Sequence, residues 1–431
     1  MRPLTILHNR FLYLWFMLKK LVVLLLCFAF SPKAIGQETN EVTQVDFLKS
    51  IHFLDENPQR QFPIIGLNES FTLVFDDLLA QDNDYYYRIK HFNADWSPSD
   101  LFPNQYLKGF DNLRLDNFRS SFNTLQRYTH YELTLPNTNT SFLVSGNYMI
   151  EIYNAYDELM FSRKFLVFEN TAQVQLGIYP TQNIDRLTTS QNLQFSIRPL
   201  GFQIRNPTTD LKVVMLQNHQ WNSARQAPAP QYTSGNQLIY RYDLPTQYYG
   251  GNEYLFFNTK DLRVLNPSVS YVGLEELYQH YLYTDAPRKD FAYTYFPDIN
   301  GNFVVETLQG NDRHTEADYS EVYFSLARQY GLNDEEIYIY GKFNNYALSE
   351  ENKMVYNPNL ELYEGILLLK QGFYNYNYVR KVDGELDKIS ISDTHAQTEN
   401  NYLVLVYHRS IGSLYDALIG VGEQQSFSLQ R

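Results

Sequence analysis

The sequence predicts an all-β protein built of tandem β-sandwich domains, and three observations carry that prediction. The first is an aromatic excess: 37 Tyr and 29 Phe in 431 residues, with hydrophobic residues at 44%. Tyrosine favours strands, where its ring packs on the sheet while the hydroxyl reaches water or a partner. The second is a period-two alternation of apolar and polar residues in many short segments. The third is the placement of Asn, Asp, Gly and Pro turn signals between those segments at short spacing, the pattern of a sandwich.

Taken in chain order, the first feature is not part of the fold. Residues 1–36 carry five basic and no acidic side chains, and LVVLLLCFAF (21–30) is a ten-residue apolar run before Ser31-Pro32. We read them as a secretory leader cleaved after Ala34-Ile35-Gly36. Its basic region is long, and a second start at Met17 would give a more ordinary leader. Cys27, the only cysteine, follows Leu26 where lipidation requires a small residue, so a lipoprotein is disfavoured. Cleavage would leave 30 basic against 48 acidic side chains, a charge of −18, and no cysteine. Such a chain suits the periplasm or cell surface of a bacterium, and no later apolar run is long enough for a membrane-spanning helix.

Strands are expected at 148–153 (YMIEIY), 161–168 (FSRKFLVF), 336–343 (EIYIYGKF), 373–379 (FYNYNYV) and 401–408 (NYLVLVYH). In the fourth of these, Tyr374, Tyr376 and Tyr378 share one face and Phe373, Asn375, Asn377 and Val379 the other. Asn300-Gly301 signals a type I′ hairpin, and Asn357-Pro358-Asn359 and Asp383-Gly384 signal further turns. One segment, 274–281 (LEELYQHY), has the spacing of a short helix. Composition divides the remainder into a first β domain at 42–170, a middle β-rich domain at 172–309 with an exposed Pro-rich excursion at 227–230, and a C-terminal sandwich at 319–420. Residues 310–318 read as a polar linker and 422–431 as a loose tail.

Chemistry is harder to find. An acidic chain with one cysteine excludes a nucleic-acid binder, a disulfide scaffold and a Cys-based metal site. Asp76, Asp77, Asp82 and Asp84 suggest calcium, but an EF-hand loop begun at Asp82 has Tyr87 and Asn93 where glycine and glutamate are needed. They read as a solvated acidic loop. The eight histidines after residue 36, His219 and His280 among them, show no HExxH or HxH spacing, so no metal site is expected. There is no GxSxG motif or phosphate-binding glycine loop, and Glu275-Glu276 do not converge on one substrate. Neither a catalytic site nor a cofactor is expected.

Residues 337–384 resemble the early-set, immunoglobulin-like sandwich modules related to glycogen-binding domains. The resemblance rests on Gly341, Phe343, Asn344, Asn345, residues 367–369 (LLL), Gly372, Phe373, Tyr376, Tyr378, Val382, Asp383 and Gly384. It implies the fold, and only under an alternative reading a sugar platform at Tyr346, Asn344 and Asn345. Such modules stack sugars on exposed Trp, and here the ring after Asn344-Asn345 is Tyr346.

A wider resemblance runs through the whole chain after the leader. Residues 61–64 (QFPI), 91–96 (HFNADW), 109–122 (GFDNLRLDNFRSSF), 128–135 (YTHYELTL) and 145–148 (SGNY) lie in the first domain. Residues 217–221 (QNHQW), 235–243 (GNQLIYRYD), 250–263 (GGNEYLFFNTKDLR) and 295–304 (YFPDINGNFV) lie in the second, and 316–326 in the third. As an ordered set they are similar to the type IX secretion system plug proteins. That resemblance implies a non-enzymatic role: closing the periplasmic mouth of the outer-membrane translocon barrel when it is not engaged in export. Two other readings remain at this point, an exported glycan-binding sandwich and an outer-membrane barrel. The barrel is disfavoured because such chains end on an aromatic and this one ends Ser428-Leu429-Gln430-Arg431.

Overall fold

Strand Gly372–Val382 shows how side-chain alternation builds this molecule. Tyr374, Tyr376 and Tyr378 are all buried in one apolar core, where Tyr374 stacks on Phe257 at 5.0 Å and on Phe303 at 5.3 Å. The opposite face carries Asn375 and Asn377, whose side chains bond to neighbouring loops. The computed structural model describes residues 40–289, 291–328 and 336–426, so the expected leader and residues 427–431 of the tail lie outside the described residues. Asn40–Ala94 and Pro98–Arg431 form one compact unit. Asp95–Ser97 belong to the other, and there Asp95 accepts hydrogen bonds from the Ser97 amide and hydroxyl.

The structure is all-β, with sheets stacked in pairs around three cores. In the first sandwich, one sheet orders strands Leu48–Leu54, Phe71–Asp77, Thr129–Leu135 and Phe118–Ser120. It faces a sheet of Ile64–Gly66, Leu159–Phe168, Gly146–Asn154, Tyr85–Phe92 and Leu113–Arg114. Their shared core includes Phe71, Phe75, Tyr131, Tyr148, Phe161 and Phe165. Phe75 stacks on Tyr131 at 5.0 Å and meets Tyr85 edge-on, geometries that add to the area buried.

The next two cores do not follow the expected boundaries at 309 and 319. Strand Leu211–Gln217 pairs with Asn401–His408 in register from Leu211↔His408 to Gln217↔Tyr402. The second core therefore draws on Ala172, Phe195, Met215 and Tyr248 together with Tyr402, Val406 and Ile419. The third core lies between these two stretches of chain: strands Leu255–Asn258 and Phe303–Val305 pair with Gly372–Val382, and Tyr278–Leu282 pairs in parallel with Tyr319–Ala327. The third sandwich is an insertion in the second. Composition cannot reveal this, because the inserted strands have the same alternation as their hosts.

Other local expectations also need correction. Residues 274–281 form a hairpin, the end of Val269–Leu274 followed by Tyr278–Leu282. The helical spacing there loses to sheet extension, since Tyr281 stacks on Tyr323 of the adjoining strand at 4.1 Å. Asn300 and Gly301 adopt φ of 54° and 86° and make a tight turn, yet the strand after it pairs with Gly372–Val382 rather than with the residues before it. Asp383-Gly384 does close a hairpin, with Val382↔Glu385 as the first pair beyond the turn. The Pro-rich excursion is anchored by Ala227 in the second core. Strand Ala417–Gln425 takes up the first part of the expected tail, paired along Asn401–His408. None of the sheet orders returns to its first strand, so the described strands form sandwiches rather than a closed barrel.

Candidate functional site

Antiparallel pairing of Phe71–Asp77 with Thr129–Leu135 sets Asp76 opposite His130 and Val74 opposite Glu132. Phe75, Tyr131 and Leu133 point into the first core, so alternation turns Asp76, His130 and Glu132 to the outer face. A lone sandwich would leave that face wet. Here Asp76 is 0% exposed and His130 3%, because strand Leu362–Lys370 and residues 310–318 cover them. Residues 310–318 are thus a strap laid on the first sandwich rather than a free linker. The Phe122 amide donates to the Thr315 carbonyl, the Tyr128 hydroxyl to the Ala317 carbonyl at 2.7 Å, and the Leu125 and Gln126 amides to the Asp318 carboxylate.

Asp76 is the hub. Its Oδ2 accepts from Lys370 Nζ at 2.7 Å and from the Tyr319 hydroxyl at 2.7 Å, and its Oδ1 from His130 Nδ1 at 2.6 Å. Lys370, 2% exposed, also donates to the His314 carbonyl at 2.9 Å and lies 4.1 Å above the Tyr128 ring. Burial pushes the Asp76 carboxyl up, but Lys370 and His130 outweigh it and hold the group below its ordinary value. The same burial pulls the Lys370 ammonium down against the attraction of Asp76. A cavity of about 500 Å³ opens beside this network, lined by Ser50, His52, Asp76, His130, His314 and Lys370 among others. His52 is pushed down to about 4 by burial. The reading of the acid cluster as a solvated loop fails for two of its four members: Asp76 and Asp77 end a strand fully buried, Asp77 accepting from the Tyr85 hydroxyl at 2.9 Å, whereas Asp82 and Asp84 do lie in an exposed to half-exposed loop.

The three residues of the sugar platform in the alternative reading are half-buried and engaged in bonds within the protein. The Tyr346 hydroxyl donates to Gln61 Oε1 at 2.5 Å, and its ring lies 5.0 Å from that of Tyr340. Asn344 Nδ2 donates to the Ile339 carbonyl, and its Oδ1 accepts from the Gly341 amide. Asn345, at φ 52°, donates to Glu41 and accepts from Lys342 Nζ at 2.8 Å. Tyr346 and Asn345 reach across to residues of the first domain, while Asn344 braces its own turn.

Sequence reasoning misses one constellation. His130, Glu132 and His314 bring a ring nitrogen each and a carboxylate oxygen within 4.8 Å of one another. His130 and Glu132 are two apart on one strand, which was a local signal. His314 comes from the strap, and only the fold brings it near. A second pair of buried acids lies in the inserted sandwich: burial pushes Glu253 up to about 7 and Asp298 up to about 6. The Glu253 carboxylate accepts from the Tyr293 hydroxyl at 2.5 Å and from the Glu399 amide at 3.1 Å. Among the described residues, no helix is long and apolar enough to cross a membrane.

Comparison with known proteins agrees with this architecture. The family model described as the type 9 secretion system plug protein 1st domain matches residues 48–169, the stretch that forms the first core. A search of curated proteins finds no match. Among solved structures, a hypothetical protein from Parabacteroides merdae ATCC 43184, determined by crystallography, is 33% identical. The match covers 90% of this chain and 99% of that one, with a TM-score of 0.85. With its first sandwich matched by the plug-domain model and a relative of this identity spanning nearly its whole length, the chain belongs to the type IX secretion system plug protein family.

Proposed function

We propose that this protein is a non-enzymatic plug that closes the periplasmic mouth of the type IX outer-membrane translocon barrel when no export is under way. The observation that carries the reading is the match of residues 48–169 to the plug family's first domain. The physical state of the molecule supports it. A seal on a wide pore must not breathe, and here the joins between sandwiches are buried polar bonds rather than loose linkers. Lys370 meets Asp76 across one join, and the Tyr407 hydroxyl donates to Asn147 Oδ1 at 2.6 Å across another. Loops on such a scaffold can present a fixed contact surface, and tyrosines supply contact area at low entropic cost.

The test is affinity capture of the tagged chain from detergent-solubilised outer membranes, followed by cross-link mapping. The expected result is a barrel several times its mass, cross-linked through its periplasmic side, and a deletion strain more permeable to large antibiotics. Capture without a barrel, together with unchanged permeability, rejects the proposal.

A further inference from the structure

We propose that His130, Glu132 and His314 form a binding site for a divalent transition-metal ion of the zinc type, which pins the 310–318 strap to the first sandwich. Two imidazoles and a carboxylate are a zinc donor set, and they leave a fourth position for water from the adjoining cavity. The geometry is close to what such an ion needs. His130 Nε2 lies 3.5 Å from Glu132 Oε1, against about 3.4 Å between ligand atoms placed ~2.1 Å from a tetrahedral zinc. The His314 donor atom lies within 4.8 Å of the other two, so its side chain need approach by no more than about 1.4 Å to complete the set.

A second observation points to a ligand independently of the clustering. His130 donates from Nδ1 to the Asp76 carboxylate at 2.6 Å, which leaves Nε2 as the ring nitrogen available to a ligand. That nitrogen is buried and has no hydrogen-bond partner among the described residues. A buried acceptor without a partner costs about 1–3 kcal/mol, and an ion would remove that cost. The carboxylate behind the imidazole is the arrangement that fixes the tautomer of a metal-binding histidine and raises its basicity.

Charge does not exclude the ion. Glu132 already accepts from Arg119 Nη2 at 2.8 Å, and Lys370 sits on Asp76. Asp76, Glu132, Asp312 and Asp318 offset Lys370, Arg119 and Arg313 in this corner. The His314 bonds to Tyr128 and Lys370 run through its carbonyl, so a side-chain substitution there leaves the strap's other anchors in place.

The experiment is titration of the chelator-stripped protein with Zn²⁺, read by calorimetry and by the melting temperature. The expected outcome is one saturable site per chain and a zinc-dependent rise in melting temperature. His314→Ala and Glu132→Gln should each weaken binding by at least about 10–100-fold while melting like the parent in chelator. No saturable binding, or binding that neither variant weakens, overturns the proposal. Should either variant fail to fold, X-ray absorption of the zinc-loaded parent decides: two imidazoles and one carboxylate in the coordination shell support the site, and any other shell refutes it.

Discussion

Lys370→Met tests whether the join between the first and third sandwiches rests on the Asp76–Lys370 pair. Methionine keeps the length of the stem and removes the ammonium, which contacts Asp76 Oδ2 at 2.7 Å, the His314 carbonyl at 2.9 Å and the Tyr128 ring at 4.1 Å. Both charged groups are at most 2% exposed, so solvent cannot take over for the lost partner. Removing one member of a buried pair leaves an uncompensated charge and costs about 3–5 kcal/mol. Asp76 keeps His130 and Tyr319 as donors, which places the expectation near the lower end, at about 3 kcal/mol. The assay is urea unfolding in chelator for the parent, Lys370→Met, Asp76→Asn and the double variant. Strong non-additivity is expected, the double variant being no less stable than Lys370→Met alone, because neutral Asn no longer leaves a buried charge. A loss below about 1 kcal/mol, the scale of an exposed pair, or simple additivity, would refute the reasoning.

Two further predictions concern the inserted sandwich. Glu253 is raised to about 7 by burial, so the folded state holds its proton more tightly than the unfolded state does at 4.5. Its contribution to stability is full below the unfolded value and lost as pH rises through about 7. Glu253→Gln keeps an acceptor for Tyr293 and should flatten the fall in melting temperature between those pH values; an unchanged profile in the variant counts against the assignment. Tyr346→Phe removes the hydroxyl bonded to Gln61 and should cost about 0.5–1.5 kcal/mol in chemical denaturation, with no change on a glycan array. A sugar-dependent rise in melting temperature that the same substitution abolishes would restore the glycan reading.

How much of this the sequence discloses depends on how local the signal is. Alternation in residues 373–379 and 401–408 fixes strand faces, because side chains in a pleated strand have no third direction. Both appear as strands, and Tyr374, Tyr376 and Tyr378 lie in a core. The Asp383-Gly384 turn is equally local, since its φ values of 51° and 86° are met by those two residue types at little strain. Residues 274–281 fail as a helix because an eight-residue apolar spacing fits both structures, and the neighbouring strand at Tyr323 decides between them. The outer face carrying Asp76, His130 and Glu132 is the least legible. Polar residues on alternate positions look solvated in sequence, and only the strap and Lys370, both distant along the chain, bury Asp76 and His130 and half-bury Glu132.

The insertion explains why the domain boundaries were hidden, and it also bears on rigidity. A sandwich joined by one linker can swing about it, and such motion is the default between domains. The inserted sandwich leaves its host near Gly250 and returns near Asn400, and the two crossings are bonded to each other: Asn400 Nδ2 donates to the Gly250 carbonyl at 2.8 Å. Asn400 also accepts from Asn218 Nδ2 at 2.8 Å, and the Asn401 amide donates to Asn218 Oδ1 at 2.8 Å. At Gly250 a Cβ would come within 1.9 Å of the His395 carbonyl oxygen, so the backbones pass too closely for any side chain. Two crossings clamped this way remove the swing that one would allow. With Lys370 and the strap fixing the same sandwich to the first domain, any relative movement of the sandwiches must break buried polar bonds at more than one place. Under the proposed plug function a part that stays shut needs that property, and a release signal would have to act on one of these joins.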